Sequence, residues 1–146
     1  MALVIDIADA VTAELNAAPA GTFDPAITAV RRVLPAFELT DLAALQVSVV
    51  PTSLEVAGST RAMRQHDVTI DIGVQKKLGV DLDTEVAGLC GLVQAIGSFL
   101  AKRTLTDAPY ACWVRSVIDP IFATDHLAGQ RVFTSVLSVT YRMVVA

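Results

Sequence analysis

Apolar residues recur at Val4, Ile5, Ala8, Val11 and Leu15 with acids between them, the spacing that sets one stripe of a helix against a core. The spacing predicts a short amphipathic helix over residues 3–17. Pro19, Gly21 and Pro25 follow closely, and a run with so many breakers predicts a loop. The pattern then changes period. Residues 27–34, ITAVRRVL, are rich in β-branched side chains and closed by Pro35, while residues 45–50, LQVSVV, alternate and are closed by Pro51. Both predict strands, with Arg31 and Arg32 on opposite faces of the first. The intervening FELTDLAAL predicts a connection with a short helical turn, and PTSLEVAGSTRAMRQ, residues 51–65, predicts an exposed loop.

The cleanest alternation lies in DVTIDIGVQKKL, residues 67–78. Val68, Ile70, Ile72 and Val74 take one face, and Asp67, Thr69, Asp71, Gly73 and Gln75 take the other, so a third strand over 67–76 has a specified polar side. Residues 81–103 predict a long helix, with Asp83 as N-cap, Glu85 in the first turn, and Lys102 and Arg103 in the last, charges that complement the helix dipole. Between them only Gln94 and Ser98 are strongly polar. A helix apolar on nearly all sides must be covered on nearly all sides, by a sheet on one and by a neighbouring element or subunit on the other. Gly88, Gly91 and Gly97 would permit close approach. The apolar stretch between the charged ends, about sixteen residues, is too short for a bilayer, which needs about 20. Residues 113–118 predict a fourth strand and residues 131–145 a long final one. The latter has Phe133, Leu137, Val139, Tyr141 and Met143 on one face and Thr134, Val136, Ser138, Thr140 and Arg142 on the other. This order implies a single α+β domain over residues 1–146: a largely antiparallel β-sheet with an N-terminal helix and one long apolar helix packed against it.

Composition narrows the function. Only 18% of the 146 residues are charged against 53% hydrophobic, less charge than the usual quarter, so either the core is rich in Ala and Val or a partner covers apolar surface. A net charge of −4 leaves no basic field to hold nucleic acid by its phosphates. Cys90 and Cys112 have neither C-x-x-C nor zinc-ligand spacing; a reduced cytosolic setting is the default, and one disulfide stays open. The first residues carry acids and no basic stretch, which predicts no secretory signal and a chain made in the cytoplasm.

Candidate chemistry is sparse. His66 beside Asp67 and Asp125 beside His126 are the only starting points for acid–base or metal chemistry, and neighbours on a strand point to opposite faces. Phosphate-binding, dinucleotide and nucleophile-elbow motifs are missing. Asp67 and Asp71 share a strand face, a geometry that suits a divalent cation only if other oxygens join them. A solvated or subunit-facing polar side accounts for the same residues without an ion. The expectation is therefore no enzyme and no cofactor, with a small cytoplasmic α+β enzyme or a ligand- or cation-binding domain as the alternative.

Three phrases carry a resemblance: RRVLPAFELTDLAALQVSVVP at residues 31–51, DVTIDIGVQKKL at 67–78, and HLAGQRVFTSVLSVTYR at 126–142. Together and in this order they resemble short structural proteins of tailed bacteriophages and prophages, in the group of neck, tail terminator or tail completion proteins. The likeness implies a virion protein that assembles as a homo-oligomeric ring, commonly a hexamer. Such a ring joins the tail tube to the head connector among other neck and tail proteins, with DNA passing through the lumen unbound and no membrane involved. It brings no catalytic residue. For the contact between subunits the expectation is a cluster of Asp71, Lys76 and Lys77, with Arg131 at the head of the last strand.

Overall fold

The computed structural model describes residues 3–33 and 43–145. Its elements run α1 (Leu3–Asn16), β1 (Ala29–Arg31), β2 (Gln46–Gly58), β3 (Arg64–Lys77), α2 (Leu82–Leu100), β4 (Cys112–Ile118), α3 (Thr124–Gln130) and β5 (Val132–Val145). The fold is α+β: a five-stranded sheet in the order β1-β2-β3-β5-β4, antiparallel at every pairing except the short parallel contact of β1 with β2. The helical turn expected between the first two strands falls on residues outside the described ones.

Alternation decides which face is covered. On β3, Val68, Ile70, Ile72 and Val74 are fully buried, and across the ladder they meet Tyr141, Val139, Leu137 and Ser135 of β5. Against this face α1 places Ile7, Val11 and Leu15, and α2 places Leu89, Leu92, Val93, Ile96 and Leu100. Phe23, beyond α1, meets Phe99 of α2 edge to face at 5.3 Å, and the Arg103 guanidinium stands 4.0 Å over the Phe99 ring. These contacts tie the two helices together over the sheet.

Several expectations are corrected. Residues 51–65 are not a loop: β2 continues to Gly58 and β3 begins at Arg64, so the two form an extended hairpin turned by residues 59–63. Pro51 is accommodated because the register shifts between Pro51 and Ser53, a bulge where a missing N–H costs little. The helix cap is Asp81, whose Oδ1 accepts from the Thr84 N–H at 3.4 Å, and not Asp83. The helix also stops at Leu100, before Lys102 and Arg103, with Lys102 in the left-handed region at φ 58°.

Nor is there a long helix covered all round. One stripe of α2 is buried, while Ala87, Gly88, Gly91, Gln94 and Ser98 are exposed. The physical reason is that Ala and Gly count as apolar yet offer little area to bury, so their exposure costs little. Of the three helix glycines only Gly97 faces the sheet, where an added Cβ would lie 3.6 Å from Leu137 Cδ1; Gly88 and Gly91 face open space. The short α3, not expected from the sequence, fills the turn before β5.

Candidate assembly surface

The sheet face away from α1 and α2 is built from the polar positions of β3 and β5, and its side chains answer one another across the ladder. Asp67 accepts two bonds from Arg142, Nε to Oδ1 at 2.9 Å and Nη2 to Oδ2 at 3.1 Å. Thr69 and Thr140 hydroxyls meet at 3.3 Å, Ser138 Oγ donates to Asp71 Oδ1 at 2.6 Å, and Gln75 Nε2 donates to Thr134 Oγ1 at 3.5 Å. His126 of α3 closes the row, its Nδ1 2.9 Å from Thr134 Oγ1. The Arg142 guanidinium outweighs partial burial and holds the Asp67 carboxyl below its ordinary range, with Arg115 adding a weaker pull. Along the β3–β5 ladder the face is thus a wall of side chains matched to one another.

This pairing bears on the candidate cation site. Asp67 and Asp71 share the face as expected, but four strand positions separate them by ~13 Å. Each already serves a partner, and among the described residues no group of three or more His, Cys, Asp or Glu side chains is placed to hold a metal ion.

The expected contact residues divide. Lys76 and Lys77 project to opposite faces because they are neighbours on a strand. Lys76 turns toward α2, its Nζ 4.0 Å from Glu85 Oε1, while Glu85 Oε2 accepts from the Gly79 N–H at 2.7 Å. Arg131, in the left-handed region at φ 52°, donates from Nη2 to Gly79 O at 2.6 Å and accepts from the Leu78 N–H at 2.8 Å. Lys76 and Arg131 therefore secure the turn from β3 into α2. Lys77 is exposed at the strand end. Asp71 lies mid-strand, ~20 Å from Lys77 along the ladder, so it does not join that cluster.

A second polar knot escaped the sequence reading. Glu14 of α1 is buried, yet accepts from Arg103 Nε at 2.8 Å and from the Thr106 N–H at 2.9 Å. Burial pushes its carboxyl up, but the Arg103 and Thr106 donors outweigh that and leave it below its ordinary value. Nearby Tyr141 is wholly buried; desolvation, aided by the Glu14 charge, drives its hydroxyl far above the usual range. Only the helical spacing of Glu14 with Val11 and Leu15 signals that this acid falls on the covered stripe. Both cysteines are free thiols; Cys90 is half-buried, its pKa raised by burial, and Cys112 is exposed.

Between α2 and β4 runs an open cleft of about 370 Å³, lined by Gln94, Gly97, Ser98 and Ala101 on one side and Trp113, Ser116, Ile118 and Leu137 on the other. None of these lining side chains is a carboxylate, imidazole, amine or thiol of the kind that transfers protons. Set beside known families and curated proteins, the chain matches no family model and no curated protein.

Proposed function

We propose that this chain is a structural virion protein of a tailed phage, a single-domain subunit of a tail terminator or neck ring that joins the tail tube to the head connector. The observation that carries the reading is where the phage-like phrases fall. Their described parts fall at the end of β1 and on the first half of β2, on β3, and on α3 with β5, so the likeness there follows the sheet framework and not a reactive centre, while residues 34–42 of the first phrase lie outside the described residues. Two features support it. The polar side chains of β3 and β5 are engaged with one another across their ladder and offer a firm wall in place of convergent reactive groups. The net charge of −4 leaves DNA free to slide through a lumen, because no excess of Lys and Arg grips phosphate. In this reading the partners are other copies of the chain and other neck and tail proteins, the site of action is the virion, and no catalysis or cofactor is involved. In this reading Lys77, exposed at the strand end, is the expected contact residue left for a neighbour, since Lys76 and Arg131 are engaged at the β3–α2 turn and Asp71 is bonded to Ser138.

Light scattering across a range of protein concentrations, with negative-stain electron microscopy, tests the reading. Closed rings, formed alone or on added tails of a matching phage, are the expected result. A chain that stays monomeric at every concentration and binds no tail end would overturn it.

A further inference from the structure

We propose that copies of this chain join edge to edge, the outer edge of β4 in one copy pairing antiparallel with the outer edge of residues 52–58 of β2 in the next. The inference rests on the self-associating reading above and adds which surfaces meet. Among the described residues, β1 covers β2 only at Val47–Val49, and no strand lies beyond residues 52–58 or beyond β4. Such edges present rows of unpaired N–H and C=O groups, ready to accept another strand. Direction is compatible: three successive antiparallel pairings separate β2 from β4, so the two run oppositely, and a copy that continues the sheet brings its β2 antiparallel to β4. Length is compatible too, because β4 spans 7 residues and the uncovered stretch 52–58 matches it.

Charge fixes the register. Glu55 pairs across from Asp67 and Arg115 across from Thr140, so both lie on the polar face, each at the middle of its edge. Among the described residues neither is in an ion pair. Inside one copy Glu55 faces the like charge of Asp67, an unfavourable cross-strand pair. Set opposite Arg115 of the next copy, it gains the matching one. The same register puts Leu54 opposite Ser116 and Ser53 opposite Val117, each pair on a common face, and brings the edge-exposed Leu54 (44% exposed), Val56 (52%) and Val117 (49%) into a shared sheet. Because one patch meets a different patch, the contact is heterologous and closes into a ring when the rotation between copies divides a full turn.

The test uses Glu55→Arg and Arg115→Glu. Each alone should raise the apparent dissociation constant of the assembly about tenfold or more, since like charges then face each other across the seam. An equimolar mixture of the two should assemble again, because alternating copies restore an opposite pair at every seam; a variant that merely misfolds would not be rescued. A second variant carries Ser53→Cys and Val117→Cys with Cys90 and Cys112 changed to Ala. Within one chain these positions stand three strand spacings apart, ~14 Å, beyond the ~7 Å limit for a disulfide, so any bond must link copies. Oxidation should give a ladder of covalent oligomers. If the parent forms rings while both reversals assemble equally well and the cysteine variant stays uncrosslinked, the edge pairing is wrong and the ring reading stands. If parent and cysteine variant both stay monomeric at every concentration and bind no tail end, both fall.

Discussion

The two halves of the β2–β3 hairpin are made of the same strands in one ladder, yet they live in different surroundings. Near Val47, Val49, Ile72 and Val74 the inward side chains are fully covered by α1 and its neighbours. Past the bulge at Pro51, the same inward parity carries Leu54 and Val56, and residues 52–58 are exposed throughout. The contrast separates two things that alternation in a sequence tends to merge. Hydrogen bonding to the adjacent strand determines how far a strand runs, whereas helix length determines how much of its face is buried. The covered half stabilises the chain through burial; the arm survives on its ladder, extended by β5 as far as Val145 opposite Arg64.

The comparison is broken most forcefully in the covered half. Ile72→Ala or Ile96→Ala removes a fully buried side chain at the sheet–helix seam and should cost about 2 to 5 kcal/mol, with Val93→Ala somewhat less. Chemical denaturation measures this; a loss under about 0.5 kcal/mol at all three would refute the placement of α2 over the sheet. Next comes the knot that ties α1 to the segment after α2. Glu14→Gln keeps the shape but removes the charge that Arg103 and Thr106 share, for an expected loss of about 1 to 3 kcal/mol at neutral pH.

The same knot gives a pH signature. The Glu14 and Asp67 carboxyls are held below their ordinary values of 4.5 and 3.8, so the unfolded chain takes up protons first as the pH falls. Their contribution is complete above those values and is lost as the pH drops through the lower folded ones. Stability should therefore decline on acidification below about pH 4.5, and Glu14→Gln should remove the upper part of that decline. An unchanged pH profile in the variant would mean that the folded Glu14 titrates as it does in the unfolded chain.

Legibility followed burial. The alternation of 67–76 and 131–145 was readable because a covered face punishes every misplaced side chain, and the expected faces of both strands agree with the ladder. The arm was not readable: Leu54 and Val56 are too few to show a period, while Pro51, Gly58 and the polar residues between them imitate a loop. α3 was missed for a related reason, since Leu127 is its only half-buried large apolar side chain. In α2 the run of Ala and Gly read as surface needing cover, although such small residues tolerate solvent. The expected contact residues do not form one cluster, because strand parity sends the adjacent Lys76 and Lys77 to opposite faces, and the matched partners of Asp67 and Asp71 lie on β5, adjacent in the sheet but far off in the sequence.

The smallest expected effect sharpens the comparison from the other side. Leu54→Ser and Val56→Ser change large apolar residues on the inward parity of β2, the parity that is fully buried at Val47 and Val49. If alternation itself measured burial, these changes would approach the cost of a core truncation. The arm argument expects otherwise: both side chains already meet water, and the backbone bonds to β3 do not depend on them. In dilute monomer, the unfolding free energy of the double variant should stay within about 0.5 kcal/mol of the parent's. Hydrogen exchange at Ile72, which pairs with Val49, should remain slow, because its amide belongs to the covered part of the ladder, while exchange at Gln65 should quicken if the arm loosens at all. A loss of several kcal/mol would mean that the arm is folded back onto apolar surface, and the division of the hairpin at the Pro51 bulge would have to be abandoned.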